Sequence, residues 1–310
     1  MEKGAGSSAR DAFAALEASA EYPADVIQLR IRTAESHRRD GNYDEAARIL
    51  DALIRPRGND DVELEAKLIY LRARVDLDWG KVARGEKRLE QLMQRFASTT
   101  YGLRAFQILR TRYRKRDKEN FAVWCSQQFK QLKSSPLADN FLYEAGRVFF
   151  ERKTVVGDRK AAHLFHRIRT QWKFETSPLW DDATWDLSLV RHRQGQYVDE
   201  IALLHDLLST REPTWLLGSY DIKNYKHAAF RIGMVYYEDL KQYVEAAKQF
   251  NAFPKLFKHS TYRDDAMWWE GNAWLRAEQP HKAQRAFQRL LKEYPNSQLA
   301  KQIQEQKQAP

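Results

Sequence analysis

Apolar positions along this chain recur with a period near 3.6 rather than alternating with polar ones. Leu50 and Leu53, Leu89 and Leu92, Phe165 and Ile168, Phe250 and Phe253, and Phe287 and Leu290 are each three apart. That spacing puts both members on one helix face, so each pair marks a buried stripe. A longer phrase precedes several of these stripes. Ser134-Ser-Pro-Leu-Ala-Asp-Asn-Phe-Leu-Tyr-Glu-Ala-Gly146, Thr176-Ser-Pro-Leu-Trp-Asp-Asp-Ala-Thr-Trp-Asp-Leu-Ser188 and His259-Ser-Thr-Tyr-Arg-Asp-Asp-Ala-Met-Trp-Trp-Glu-Gly271 share one order of residue types. Each opens on Ser, Thr or Pro, continues with an acidic or amide pair and an aromatic residue, and closes on a small residue. Tyr225-Lys-His-Ala-Ala-Phe-Arg-Ile-Gly233 joins the phrase halfway.

The phrase is a helix start. Ser, Thr and Asp cap free backbone N–H groups, and carboxylates in the first turn sit at the positive end of the helix dipole. The closing small residue marks where a second helix approaches. That second helix carries its own small residue about twelve positions on: Ala34 with Ala46, Ala73 with Gly85, Gly271 with Ala283. Gly41-Asn-Tyr43 and Gly195-Gln-Tyr197 supply turns between the paired helices. Anchors at Ala34, Ala73, Gly146, Ser188, Gly233 and Gly271, with Arg110 interpolated, recur every 36 to 45 residues or so. They predict seven hairpins near 24–55, 61–97, 101–133, 137–172, 179–209, 221–253 and 260–295. A short helix at 9–20 precedes them and a polar capping helix at 297–307 follows. The stretch 209–223, with Pro213 and Gly218, reads as a surface loop. Hairpins of this kind bury their faces only against their neighbours. The expectation is therefore an all-α superhelical solenoid, single over 9–310, behind a flexible N-terminal segment at 1–8.

In its last unit the chain reads Gly271, Trp274, Ala283, Phe287, Leu290 and Pro295, which resembles the tetratricopeptide repeat in residue type and spacing. The ending Tyr294-Pro-Asn-Ser-Gln-Leu-Ala300 and the Asp-Asp-Ala openings resemble a bacterial subgroup. That subgroup includes the lipoprotein of the outer-membrane β-barrel assembly machine and the periplasmic coordinator of the Tol–Pal system. The resemblance implies a non-catalytic scaffold that holds a partner polypeptide in a groove. It also implies a bacterial cell-envelope setting, periplasmic or at the outer membrane if a leader has been removed and cytoplasmic otherwise.

Composition narrows the picture. Hydrophobic residues make up 43% and charged ones 30%, enough apolar material for a packed core. Thirteen glycines and nine prolines are few for 310 residues, which suits long uninterrupted helices. The single cysteine, Cys125, excludes an internal disulfide and a cysteine metal cluster. No apolar run is long enough to span a membrane. The net charge of +10 raises an alternative, a basic solenoid binding nucleic acid or glycan. Its densest cluster, Arg110 to Lys118, carries no nucleic-acid motif and falls at a predicted turn, so nucleic acid is disfavoured.

Candidate binding residues follow from the register. Three positions before each anchor stand Ile31, Tyr70, Gln107, Tyr143, Trp185, Phe230 and Trp268. Five are aromatic, a ladder suited either to an extended peptide or to packing between helices. Shortly after the anchors come Arg38, Arg39, Arg74, Arg114, Lys115, Arg147, Arg193 and Arg276. These would favour acidic segments of a partner, or complement helix C-termini. The partner-binding set is thus Tyr70, Arg74, Tyr143, Arg147, Trp185, Phe230, Trp268 and Arg276. Catalytic, metal and cofactor sites are not expected. His163 and His166 lack a metal motif, Cys125 lies on an apolar face, and the Asp181/Asp182 and Asp264/Asp265 pairs are helix openings.

Overall fold

The computed structural model describes residues 3–20, 22–54, 61–210 and 223–308. These hold sixteen α-helices and no strand, with 82% of the structure helical, so the fold is all-α. Helix α1 (Lys3–Ala18) comes first. Seven hairpins follow: α2 (Pro23–Arg39) with α3 (Tyr43–Leu53), α4 (Val62–Asp78) with α5 (Val82–Arg95), α6 (Thr100–Arg116) with α7 (Lys118–Gln131), and α8 (Ala138–Glu151) with α9 (Val155–Gln171). They continue as α10 (Trp180–Arg193) with α11 (Tyr197–Ser209), α12 (Lys223–Met234) with α13 (Tyr243–Leu256), and α14 (Arg263–Arg276) with α15 (Pro280–Glu293). Helix α16 (Gln298–Gln308) ends the chain, and its Ala300 and Ile303 cover Met267 and Leu290.

The helices divide into two compact units, Met1–Ala145 and Gly146–Pro310, with the division inside α8. In the first, α2, α4 and α6 are successive neighbours, and Ile31, Leu50, Leu68 and Val75 form one core. In the second, Leu204, Ile232, Phe250 and Phe253 form another. Helix α1 starts six residues before the expected position, so most of the segment 1–8 is helical. Its Gly6 lies close against α2, where the Ser36 hydroxyl donates to the Gly6 carbonyl at 3.3 Å and Arg10 pairs with Asp40. The predicted loop at 209–223 lies almost wholly outside the described residues.

Small anchors make the hairpins close. A Cβ built at Gly146 or Gly233 would stand 2.6 Å from the ring of Phe165 or Phe250, and one at Gly271 would collide with Phe287. Each glycine thus admits an aromatic ring from the second helix of its own hairpin. The interpolated Arg110 is a correction: it is exposed, not at a crossing. Helices α6 and α7 both turn rings toward α8. Phe106 meets Phe141 edge-on at 5.2 Å, Trp124 meets Phe141 at 5.8 Å, and Phe121 stacks on Trp124 at 5.8 Å.

The turns reuse one geometry. Gly41 (φ 80°), Gly80 (φ 80°) and Gly195 (φ 71°) close the first helices of three hairpins in the left-handed region. Lys153 (φ 51°), Lys241 (φ 55°) and Glu278 (φ 57°) hold it in three others, where a side chain costs about 1–2 kcal/mol. The third hairpin has no such residue. Asp117 alone joins α6 to α7 and caps α7, accepting from the backbone N–H groups of Glu119 and Asn120.

Candidate functional site

The first helices of the hairpins carry most of the predicted binding residues. Tyr70, Tyr143, Trp185, Phe230 and Trp268 are all half-buried, while Ile31 is buried and Gln107 exposed. In the first unit Tyr70 leans on Tyr101 with centroids 5.4 Å apart, and the guanidinium of Arg104 sits 5.1 Å from the Tyr101 ring. Tyr70, Arg104, Gln107, Ile108, Thr111 and Arg112 line an open cleft of about 480 Å³ between α4 and α6. Arg74 lies one turn beyond Tyr70 on α4 and shares its face.

In the second unit a run of rings crosses α10, α12 and α14. Trp185 meets His227 at 6.2 Å, His227 meets Tyr262 at 5.7 Å, and Tyr262 meets Phe230 at 5.8 Å. Trp185 and Phe230 are thus linked through His227 and Tyr262, which the ladder did not include, and Phe230 also packs the core. Phe230 packs edge-on against Phe250 and Phe253, both fully buried. Trp268 is set apart from this run, 5.8 Å from Phe287 and beside the α16 contact.

The predicted cations meet different fates. Arg147 donates to both carboxylate oxygens of Asp186, at 2.9 and 3.0 Å. Arg114 binds Glu144 at 2.7 Å, Arg193 binds Asp158 at 2.6 Å, and Arg38 pairs with Asp78. Arg276 donates to the Tyr243 hydroxyl at 3.3 Å, at the start of α13 in the preceding hairpin. Arg39 and Lys115 are exposed. Among the described residues Arg74 and Arg104 have no ion-pair partner. Half of the basic surface expected from sequence, Arg38, Arg114, Arg147 and Arg193, is thus neutralised within the fold.

Buried carboxylates do the neutralising. Asp76, with no exposed surface, faces Arg72 at 2.8 Å, Arg84 at 2.8 Å and Arg88 at 2.9 Å. Burial alone would raise its carboxyl, but hydrogen bonds from Arg72 and Arg84 outweigh that and hold it below the ordinary value. Glu200, equally buried, accepts from Arg231 at 2.7 Å and lies 2.9 Å from His192 Nδ1. The Arg110–Lys118 cluster divides by helical spacing. Arg112 and Arg116 reach Glu86, both at 2.8 Å, while Arg110 and Arg114 reach Glu144. Four arginines so committed are poorly placed to contact phosphates.

The remaining titratable candidates serve the fold. Cys125 is fully buried, and burial followed by the nearby charge of Glu144 pushes its thiol far above the ordinary value. An inert thiol is the result. His163 and His166 are exposed on α9. Asp181 and Asp265 are raised first by burial and then by the like charges of Asp182 and Asp264. Their neighbours hold partners of their own, with Asn224 donating to Asp182 at 2.9 Å and Ser297 to Asp264 at 2.7 Å. No cluster of three or more His, Cys, Asp or Glu suited to a metal occurs among the described residues. Nor is any described helix long and apolar enough to cross a membrane.

The register rule missed Tyr101, Arg104 and Tyr262. Arg104 falls one turn before Gln107 on the same face, so extending the rule by a turn would have found it. Tyr262 stands in the opening of a repeat phrase, where only capping residues were sought.

Residues 227–260 and 265–297 match the family model described as tetratricopeptide repeat, so the sixth and seventh hairpins are repeats of that type. No curated protein matches the sequence. Among solved structures, the apo form of RapI is similar over 88% of this chain and 77% of its own, at 10% identity and a TM-score of 0.50. A signal-transduction ATPase with a tetratricopeptide repeat sensor from Pyrococcus horikoshii is similar over 92% of this chain at 11% identity and a TM-score of 0.48. The chain spans 44% of that protein's length. Pseudomonas aeruginosa PilF is similar over 81% of this chain and all of its own, at 13% identity and a TM-score of 0.42.

Proposed function

We propose that the protein is a non-catalytic scaffold that binds a partner polypeptide along the first helices of its hairpins. Tetratricopeptide repeats generally mediate protein–protein interaction, and the family match supports that much directly. The observation that carries the finer reading is the cleft between α4 and α6. There an aromatic pair, Tyr70 and Tyr101, stands beside Arg104, with Arg74 on the same face of α4 as Tyr70. Rings offer large contact area at low entropy cost, and cations without an internal partner favour carboxylates on the incoming chain. The rings Trp185, His227 and Tyr262 extend the same reading to the second unit, which adds Phe230 and Trp268 as flanking packing positions, while Tyr143 belongs to the first unit.

Tyr70→Ala and Arg104→Ala are expected to weaken partner retention by about 1–2 kcal/mol each. Arg104→Ala, at an exposed side chain, should leave the unfolding midpoint nearly unchanged. Tyr70→Ala also loses packing of a half-buried ring on Tyr101 and the core, so its affinity is compared at a temperature where it is fully folded. Retention is measured by pull-down from the native lysate, with binding of the captured partner then titrated against each variant. Unaltered affinity in both variants would remove the cleft from the reading. The proposal includes a cell-envelope setting, supported by the Asp-Asp-Ala openings and the Tyr294-Pro ending. Fractionation of cells expressing the native gene tests it, and a purely cytosolic product would sink it.

A further inference from the structure

On the side of the last two hairpins formed by their second helices lies a cleft of about 430 Å³. Lys248, Asn251, Glu270, Trp274, Lys282, Arg285, Ala286 and Arg289 line it, and all belong to α13, α14 and α15. Its lining carries four cations and one carboxylate. That carboxylate is already satisfied, because Glu270 is buried and accepts from Asn251 at 2.8 Å and pairs with Arg289. Lys248 has only an exposed contact to Glu245 at 3.5 Å. The Lys282 ammonium rests 4.3 Å from the Trp274 ring centroid, and Arg285 is exposed with no ion-pair partner among the described residues.

Spacing sharpens this into a ligand. Lys282, Arg285 and Arg289 are i, i+3 and i+7 on α15, a single stripe about 10 Å long. Alternate side chains of an extended peptide recur every ~6.6 Å on one face, so two carboxylates can meet Lys282, Arg285 and Lys248 across the cleft. Arg289 stays paired with Glu270 and adds only its field. A single-stranded nucleic acid would need an exposed ring on which to stack its bases. The one aromatic residue here, Trp274, is 8% exposed beneath Lys282 and offers none. We propose that this cleft is a second docking site, for an extended acidic peptide segment of a partner protein. It is independent of the α4–α6 cleft and lies in the other compact unit.

The test uses the full chain and a fluorescein-labelled octaglutamate peptide, with anisotropy read at low and moderate salt. The chain should bind the peptide, and the Lys282→Glu/Arg285→Glu variant should lose at least about tenfold in affinity, since like charges across an interface repel. Arg285→Gln alone should lose a smaller, measurable factor, and it removes no contact the fold uses. Lys130→Glu/Lys133→Glu, an equal charge change at exposed positions at and just past the end of α7, should leave affinity unchanged. Peptide affinity indifferent to Lys282 and Arg285 would overturn the proposal. So would tighter binding of octathymidylate than of octaglutamate with the same dependence on these residues, which would assign the cleft to nucleic acid.

Discussion

Replacing Asp76 by asparagine is expected to cost about 3–5 kcal/mol, the ordinary penalty for removing one member of a buried ion pair. Asp76 is fully buried with Arg72, Arg84 and Arg88 around it, and Arg72 is itself buried and tied onward to Asp51 at 2.8 Å. An asparagine leaves those guanidinium groups facing a neutral amide that presents donors of its own. Urea unfolding followed by fluorescence of the nearby Trp79 measures the loss. Asp78→Asn is the control, because its pair with Arg38 is exposed enough that only about 0–1 kcal/mol is at stake. The same site predicts part of the acid limb. A carboxyl held below its unfolded value contributes stability above about pH 4 and loses it as pH falls through the folded value. Asp76→Asn should therefore flatten the decline in stability below pH 4. A variant within 1 kcal/mol of the parent, with an unchanged acid limb, would mean that the carboxylate holds nothing together.

The hairpins were legible in the sequence because their causes are local. Period-3.6 stripes and small anchors each mark one helix, and all seven pairs fall close to where those marks put them. Helices α10 and α14 nevertheless have Leu179 and Tyr262 at their N-caps, without the side-chain cap their phrases suggest. The third hairpin departs because it has no small residue at the interpolated anchor, where Arg110 is exposed. Its rings Phe106 and Trp124 turn instead to Phe141 on α8, a non-local contact that no local mark announces. The binding surface was less legible. The arginines were read as available to a partner because their acids lie 30 to 40 residues away in the chain. Glu144 takes Arg114 from the preceding hairpin, Asp186 takes Arg147, and Asp158 takes Arg193, as Glu270 takes Arg289. One signal was present all the same. Glu86 adjoins Gly85, Glu144 and Asp186 lie two before Gly146 and Ser188, and Glu270 adjoins Gly271. A carboxylate that close to a helix crossing must be buried, and a buried carboxylate needs a cation. Counting such acids first would have withdrawn Arg114 and Arg147 from the set and kept Arg74, with exposed Arg39 and Lys115, as the cations open to a partner.

Gly233 and Phe250 carry the same logic from packing rather than charge. On helix propensity alone, Gly233→Ala should stabilise α12 by about 0.5–1 kcal/mol. The structure reverses that sign. The new Cβ would stand 2.6 Å from the Phe250 ring, which is fully buried and held between Phe230 at 5.3 Å and Trp269 at 6.3 Å. With no room for the ring to shift, overpacking should leave a net loss of about 1–3 kcal/mol. Phe250→Ala opens a cavity in the same place and should cost about 3–5 kcal/mol. Phe250→Leu shortens the side chain where the clash occurs, so Gly233→Ala should be better tolerated in its presence than in the parent. A double-mutant cycle of Gly233→Ala with Phe250→Leu should show favourable coupling of about 0.5–3 kcal/mol. Chemical denaturation of the four proteins reads it directly. If Gly233→Ala proves stabilising in the parent, or if the two changes add without coupling, the glycine is not there to admit the ring.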